Sequence, residues 1–241
     1  MTDGLTARQT QILKLLVDEY INTAEPVGSL SLEKKNNLGV SPATIRKEMG
    51  DLTDSGFLRQ PHTSAGRIPT PKAMKFYINQ LMEEKQMSLV DEVKTKEEVM
   101  GAKSDFNRLM TEATKRLSQA TESLAVAATD DGDVWRWGYA NVFDSPEFSA
   151  EVCRDVFSMI EETKRLHELF FERLTGATPI EVLFGTDIGW PSFDPVGVVV
   201  TRFKRNDHEG AIGVVGPFRL NYSFVIPWVR QMGRFIEEAM A

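Results

Sequence analysis

Apolar residues recur near the start of the chain at Ile12, Leu13, Leu16, Val17, Tyr20 and Ile21, the three-and-four spacing of one helical face. Thr6 and Gln9 precede them at capping-box spacing, so a first helix is expected to end before Glu25-Pro26. A shorter helix follows in VGSLSLEKK, with Leu30 in its apolar strip, and the asparagines and glycine of NNLG break it. The third helix, in VSPATIRKEMGDLTDSGFL, has the fullest punctuation. Ser41 can cap it, Pro42 sits where a missing N–H costs nothing, and Gly56 can close it in a left-handed conformation. Ile45, Met49 and Leu52 point inward, which turns Ala43, Thr44, Lys47 and Asp51 outward with Arg46 and Gly50 beside them.

Next, FLRQ and GRIPT flank the tip PHTSA, the pattern of a two-stranded wing behind a helix-turn-helix. Thr70-Pro71 repeats the cap-then-proline start, and a helix is expected through Ala73, Phe76, Tyr77, Leu81 and Met82. The charged EEKQMSLVDEVKTKEE reads as linker, and a further helix is expected over about 103 to 128, from Phe106, Leu109, Met110, Ala113, Leu117, Ala120 and Leu124. Beyond 134 the pattern mixes types. IEVLFG, GVVVTRF and GAIGVVGP are β-rich runs, PEFSAEVCRDVFSMIEETKRLHELFFERL is an amphipathic helix, and NYSFVIPWVRQMGRFIEEAM is a closing helix near whose first turns Pro227 sits or puts a kink. The expected class is a multidomain α+β protein: a winged helix-turn-helix over 1–82, a helical linker over 83–102 and an α+β domain over 103–241.

Net charge is −7, which by itself argues mildly against a nucleic-acid partner. Its distribution changes that reading. Residues 1–82 carry ten basic and eight acidic side chains, a balance of +2 that leaves −9 for the rest, and within 46–75 the excess reaches +3. A small basic island on an acidic chain is what a phosphate-facing surface requires. Cys153 is the only cysteine, so an intrachain disulfide and a thiolate metal cluster are excluded. The amino terminus lacks a signal-peptide pattern and no run approaches a membrane span, so a soluble cytoplasmic protein is expected.

The outward side of the third helix suits either solvent or DNA. Small residues at Ser41, Ala43 and Thr44 allow close approach to base edges, while Arg46 and Lys47 offer donors to bases and phosphates. The loop QPHTSAGRIPT favours DNA. Thr63 and Ser64 bring hydroxyls suited to phosphate, Gly66 permits the positive φ of a hairpin tip, and Arg67 suits a narrow minor groove. His62 reads as a polar wing residue, with no second histidine nearby to make it a metal ligand.

LTARQTQILKLLVDEYINTAEPVGS, LGVSPATIRKEMGDLTDSGFL and QPHTSAGRIPTPKAMKFYIN together resemble the winged-helix domain of the HrcA family of bacterial heat-inducible transcription repressors, and NVFDSPEF, FGTDIG and GVVGPFRLNYSFVIPWV are similar to its second domain. The resemblance implies a repressor bound to an inverted repeat before chaperone operons and released by heat, with the GroE chaperonin supporting its active form. It places the DNA-reading elements on the helix from Ser41 to Ser55 and the wing from Pro61 to Pro69, and it implies a GAF-like second domain. The chain departs from the family in its middle. LAVAATDDGDVWRWGYANVFD passes almost directly from one matching block to the next, where the family carries further strands and an inserted dimerising segment, so a reduced GAF-like domain is expected. A palindromic operator still demands a two-fold axis, supplied by the helix at 103–128 or by exposed apolar edges of the second domain.

An enzyme is not expected. His62, His167 and His208 are scattered, Cys153 reads as a small buried residue, no nucleophile stands with its base, and no phosphate loop, cofactor motif or metal-ligand set is present. The alternative function is a ligand-sensing regulator whose GAF-like domain lines a pocket with Trp135, Trp137, Tyr139, Trp190, Phe193 and Trp228, residues that equally suit a core.

Overall fold

The structure, a computed structural model, describes residues 4–176, 178–205 and 208–241. The chain divides into two compact units, Met1–Glu83 and Glu84–Ala241.

In the first unit α1 (Ala7–Thr23) begins at a reciprocal capping box between Thr6 and Gln9, and α2 (Ser29–Asn36) and α3 (Pro42–Asp54) follow. Ile12, Leu13, Leu16 and Val17 of α1 meet Leu32, Ile45 and Leu52 in a core at 0–1% exposure. Gly56 ends α3 at φ +77°, a conformation that costs a residue with a Cβ about 1 kcal/mol or more. The chain then forms an antiparallel hairpin of β1 (Leu58–Arg59) and β2 (Ile68–Pro69). The helix expected through Met82 is an α-helix, α4 (Pro71–Phe76), only to Phe76; it continues as a π-helical turn over Tyr77–Leu81. Tyr77 donates to Asp18 Oδ1 of α1 at 2.5 Å, and burial, then that hydrogen bond, push its phenol well above the usual range.

The second unit is a five-stranded antiparallel sheet with helices on both faces, its strands β3 (Leu124–Thr129), β4 (Val134–Trp137), β5 (Ile180–Phe184), β6 (Val196–Arg205) and β7 (His208–Pro217) lying in the order β4-β3-β7-β6-β5. On one face Val126, Val198, Val200 and Val215 pack with Val156, Met159 and Phe170. These come from α8 (Ala150–Glu161) and from the π-helical turn Glu168–Glu172 that follows α9 (Thr163–His167). The other face lies against α6 (Phe106–Thr121) and α11 (Tyr222–Met240). Two short helices, α7 (Ala140–Phe143) and α10 (Gly185–Ile188), occupy connections.

Three expectations are corrected here. The helix expected over 103–128 stops at Thr121, where Glu122 takes φ +49°, and 124–129 is strand instead. All six residues of β3 are buried, so their side chains fill both faces of the sheet and show no alternation that would distinguish strand from helix. The long helix expected over 146–174 is broken at Glu162, whose extended ψ of 98° separates α8 from α9. The stretch 83–102, expected as a helical linker, does hold a helix, α5 (Leu89–Met100), and that helix is packed into the second unit through Thr95 and Val99 at 0% exposure.

Pro227 lies inside α11 and has no N–H for the carbonyl of Ser223. Lys85 supplies one from outside the helix at 2.8 Å, and Arg230 one turn further on binds the Glu84 carboxylate through two nitrogens, the longer contact 2.8 Å. The residues that open the second unit are thereby fastened to its last helix. Among the described residues no helix is long and apolar enough to cross a membrane.

Candidate nucleic-acid interface

The candidate surface is built from α3 and the β1–β2 hairpin. Ser41 Oγ accepts from the Thr44 N–H at 3.2 Å and lies 3.0 Å from Thr44 Oγ1, so both hydroxyls are held at the start of α3. Ile45, Met49 and Leu52 are buried beneath the helix, while Ala43, Arg46, Lys47 and Asp51 are exposed and Thr44 and Gly50 half-buried.

The hairpin tip is organised by a residue to which the sequence reading gave no role. Gln60 Nε2 donates to the carbonyls of Thr63 at 3.0 Å and Ala65 at 2.9 Å, so one amide ties the loop across its mouth. A glutamine beside a proline gives no local signal of that. His62, Thr63 and Ser64 are exposed on the tip, with Ser64 Oγ 3.3 Å from His62 Nδ1.

Gly66 and Arg67 are placed differently from the expectation. Gly66 does not take a positive φ; it is needed because Val27 passes across it, and a Cβ there would come within 2.4 Å of the Val27 carbonyl oxygen. Val27 and Arg67 exchange a pair of backbone hydrogen bonds, each 2.9 Å, which makes the segment before α2 a third, one-residue strand at the hairpin base. Arg67 is half-buried there, its Nε donating to Thr53 Oγ1 of α3 at 3.1 Å. The arginine therefore braces the hairpin against α3 instead of standing at the tip. No pattern in residues 60–70 alone could show this, because the partners lie at 27 and 53.

A groove of about 370 Å³ joins the two elements, with Arg46 and Met49 of α3 on one wall and Gln60, Thr63, Ser64 and Arg67 on the other. The cations of the first unit divide into paired and unpaired ones. On α1 and α2, Arg8 reaches Glu48 at 3.6 Å, Lys14 reaches Asp18 at 2.9 Å and Lys35 pairs with Glu19. Among the described residues, Arg46, Lys47 and Arg59 are exposed and make no ion pair or side-chain hydrogen bond. Arg59 is an addition to the expected set; on β1, Leu58 turns inward and Arg59 outward, a two-residue alternation legible only once the strand is known.

In the second unit the six aromatic residues considered for a ligand pocket do not converge. Trp135 lies under α6, edge-on to Phe106 at 5.5 Å, Trp190 and Phe193 form a pair on the opposite face, Trp228 is buried on α11, and Trp137 and Tyr139 are exposed. Cys153 is buried in the core. Among the described residues no three His, Cys, Asp or Glu side chains gather as a metal site, and the side chain of His208 lies outside the described positions.

The family model described as the HrcA protein C terminal domain matches residues 66–226. The heat-inducible transcription repressor HrcA of Acetivibrio thermocellus is 42% identical over 125 residues, covering 52% of this chain and 35% of that protein. Its counterpart from Pelotomaculum thermopropionicum is 40% identical over 135 residues, 56% of this chain and 39% of the relative, so these alignments span little more than a third of the relatives' length. The HrcA of Syntrophobacter fumaroxidans aligns over 93% of this chain and 94% of its own at 23% identity. A solved crystal structure of a hypothetical protein shares the fold, with a TM-score of 0.77 and 18% identity over 98% of this chain and 99% of the other.

Proposed function

The chain belongs to the HrcA family, and from that premise we propose that it is a DNA-binding transcription repressor of heat-inducible chaperone operons. The first unit acts as a winged helix. The exposed side of α3 enters the major groove with Ser41, Ala43 and Thr44 close to base edges, while Arg46 and Lys47 reach bases and phosphates. The hairpin is the wing, presenting His62, Thr63 and Ser64 to the backbone, with Gly66 and Arg67 fixing its angle and Arg67 keeping its Nη groups for a phosphate. The second unit serves as a reduced GAF-like regulatory and dimerisation domain. Two copies read an inverted repeat in the cytoplasm and leave it on heat stress, with the GroE chaperonin supporting the active form.

The observation that carries this reading is the contrast among the cations of the first unit. Arg8, Lys14 and Lys35 on α1 and α2 meet acids, whereas among the described residues Arg46, Lys47 and Arg59, like Lys34 of α2, stand exposed without an ion pair, and Arg46 lines a groove that also carries hydroxyls and an amide. Unpaired surface cations are available to displace counterions from a duplex, the source of most protein–DNA affinity.

The test is a fluorescence titration of the purified protein against a duplex carrying a chaperone-operon inverted repeat, beside the same duplex with one half-site scrambled, at fixed salt. Tighter binding to the intact repeat by about two decades or more is expected of a dimer reading two half-sites. No binding to either duplex at low salt sinks the proposal.

A further inference from the structure

The sheet of the second unit has two edges, and they are treated differently. At β5 the strand is preceded by Pro179, and the Glu181 carboxylate takes the N–H groups of Thr175 at 2.8 Å and Gly176 at 2.7 Å, tying the incoming loop to the strand. At β4 no described residue does the same. Thr129 N–H donates to the Asp133 carbonyl at 3.0 Å, so by antiparallel alternation the backbone groups of Asp133, Trp135 and Trp137 face β3 and those of Val134 and Arg136 point away from the sheet. No described residue meets them. A groove of about 310 Å³ runs between this edge and α6, with Thr111 and Thr114 on the helix side and Val134–Trp137 on the other. Trp137 in its lining is 42% exposed, and the Nε of Arg136, shielded from solvent, has no hydrogen-bond partner among the described residues; past the strand's end Tyr139 and Phe143, 43% and 67% exposed, lean on Phe157 of α8. An open edge without proline, bulge or cover is a template for another strand.

We propose that β4 pairs antiparallel with β4 of a second copy of this chain, in a register centred on Trp135, so that two five-stranded sheets become one. Two features select this occupant and this register. Only the register centred on Trp135 sets Val134 opposite Arg136 in both directions, so that every outward backbone group of the strand finds a partner; a shift either way leaves Arg136 facing Gly132 or Val134 facing Gly138, outside the strand. The strand is also polar in charge. It runs from Asp131 and Asp133 to Arg136 and Trp137, and Lys115 Nζ, which meets Glu112 at 3.3 Å, stands 5.7 Å from the Trp137 ring centroid. Antiparallel pairing lays the acidic end of each copy against the basic end of the other, and sets Asp133 opposite Trp137, on the face where Lys115 lies; parallel pairing would set like against like. The contact is isologous and generates a two-fold axis. It rests on the reading above in one respect: an inverted repeat is what gives the axis its use.

Sedimentation velocity of the full chain without DNA, over a wide range of concentration, is expected to show a monomer–dimer equilibrium. Val134→Pro and Arg136→Pro each remove an N–H that β3 does not use, and both are expected to sediment as monomers with the circular dichroism of the parent. Hydrogen exchange on the unaltered protein covers the case in which a proline variant misfolds. The amides of Val134 and Arg136 are expected to gain protection as concentration rises, while that of Trp135 is protected throughout. A monomeric parent overturns the proposal, and so does a dimer whose Val134 and Arg136 amides exchange freely. Because none of these readings involves DNA, a failure to bind an operator would count against the repressor and leave the strand pairing standing.

Discussion

The two units differ in charge balance, +2 over residues 1–82 against −9 over the rest. In the second unit Arg116 meets Glu98 at 3.2 Å, Arg165 meets Glu162 at 3.0 Å, Lys96 meets Glu238 at 2.7 Å, and Arg173, Arg219 and Arg230 are held by Glu168, Glu147 and Glu84. Much of its positive charge is already answered by its own acids. The first unit leaves Arg46, Lys47 and Arg59 unanswered on one surface, although Asp51 and Asp54 are exposed on the same helix. The second unit also leaves Lys94, Lys103, Arg108, Arg154, Lys164 and Arg234 exposed without an ion pair among the described residues, so what sets the first unit apart is that such cations gather on α3 and β1 within a basic stretch, while the acidic balance of the rest repels a polyanion.

The largest way to break this contrast is through the core of the second unit. Phe170→Ala, at 0% exposure, is expected to cost about 4 kcal/mol, read as a lost thermal transition of that unit. Amide protection in α3 should survive; if it disappears as well, the two units do not behave as separate bodies. Gly66→Ala strikes the first unit instead, by forcing a methyl group onto the Val27 carbonyl, and is expected to cost about 2 kcal/mol and to weaken binding of every duplex alike. A change of sequence preference without a loss of stability would mean that Gly66 meets the DNA itself.

The smallest effect concerns the pairs on which the contrast is drawn. Hydrogen bonds from Arg230 hold the Glu84 carboxyl below its ordinary range, against the opposing pull of partial burial. Since the folded state binds this proton less readily than the unfolded chain, the pair stabilises the protein above the unfolded carboxyl pKa, and its contribution is lost as pH falls through the lower folded value. Glu84→Gln should therefore cost well under about 1 kcal/mol at neutral pH, because solvent screens a pair this exposed. The difference between parent and variant should vanish in acid. A difference that grows as pH falls would give the pair the opposite sign.

What the sequence made legible follows the range of the interactions involved. Helix α3 could be read from Ser41 to Gly56 because its cap, its proline, its apolar face and its terminator all act within a few residues. The hairpin could be located but not explained, since Gly66 answers to Val27 and Arg67 to Thr53, partners far away along the chain. Strand β3 was hidden for another reason. Buried on both faces, it shows a continuous apolar run that continues the stripe of α6. With β3 taken as helix, β4 had no partner, and the open edge from which a second copy is inferred could not be seen.

The most direct test of the central claim, that the uncommitted cations of the first unit receive DNA, is the salt dependence of duplex binding by the parent and by the triple variant R46A/K47A/R59A. The parent should lose affinity steeply as salt rises, and the variant should bind more weakly with a slope shallower by about 0.9 for each phosphate contact removed. Equal affinity and equal slope for the two proteins would contradict the account and place the DNA contact, if there is one, elsewhere on the chain.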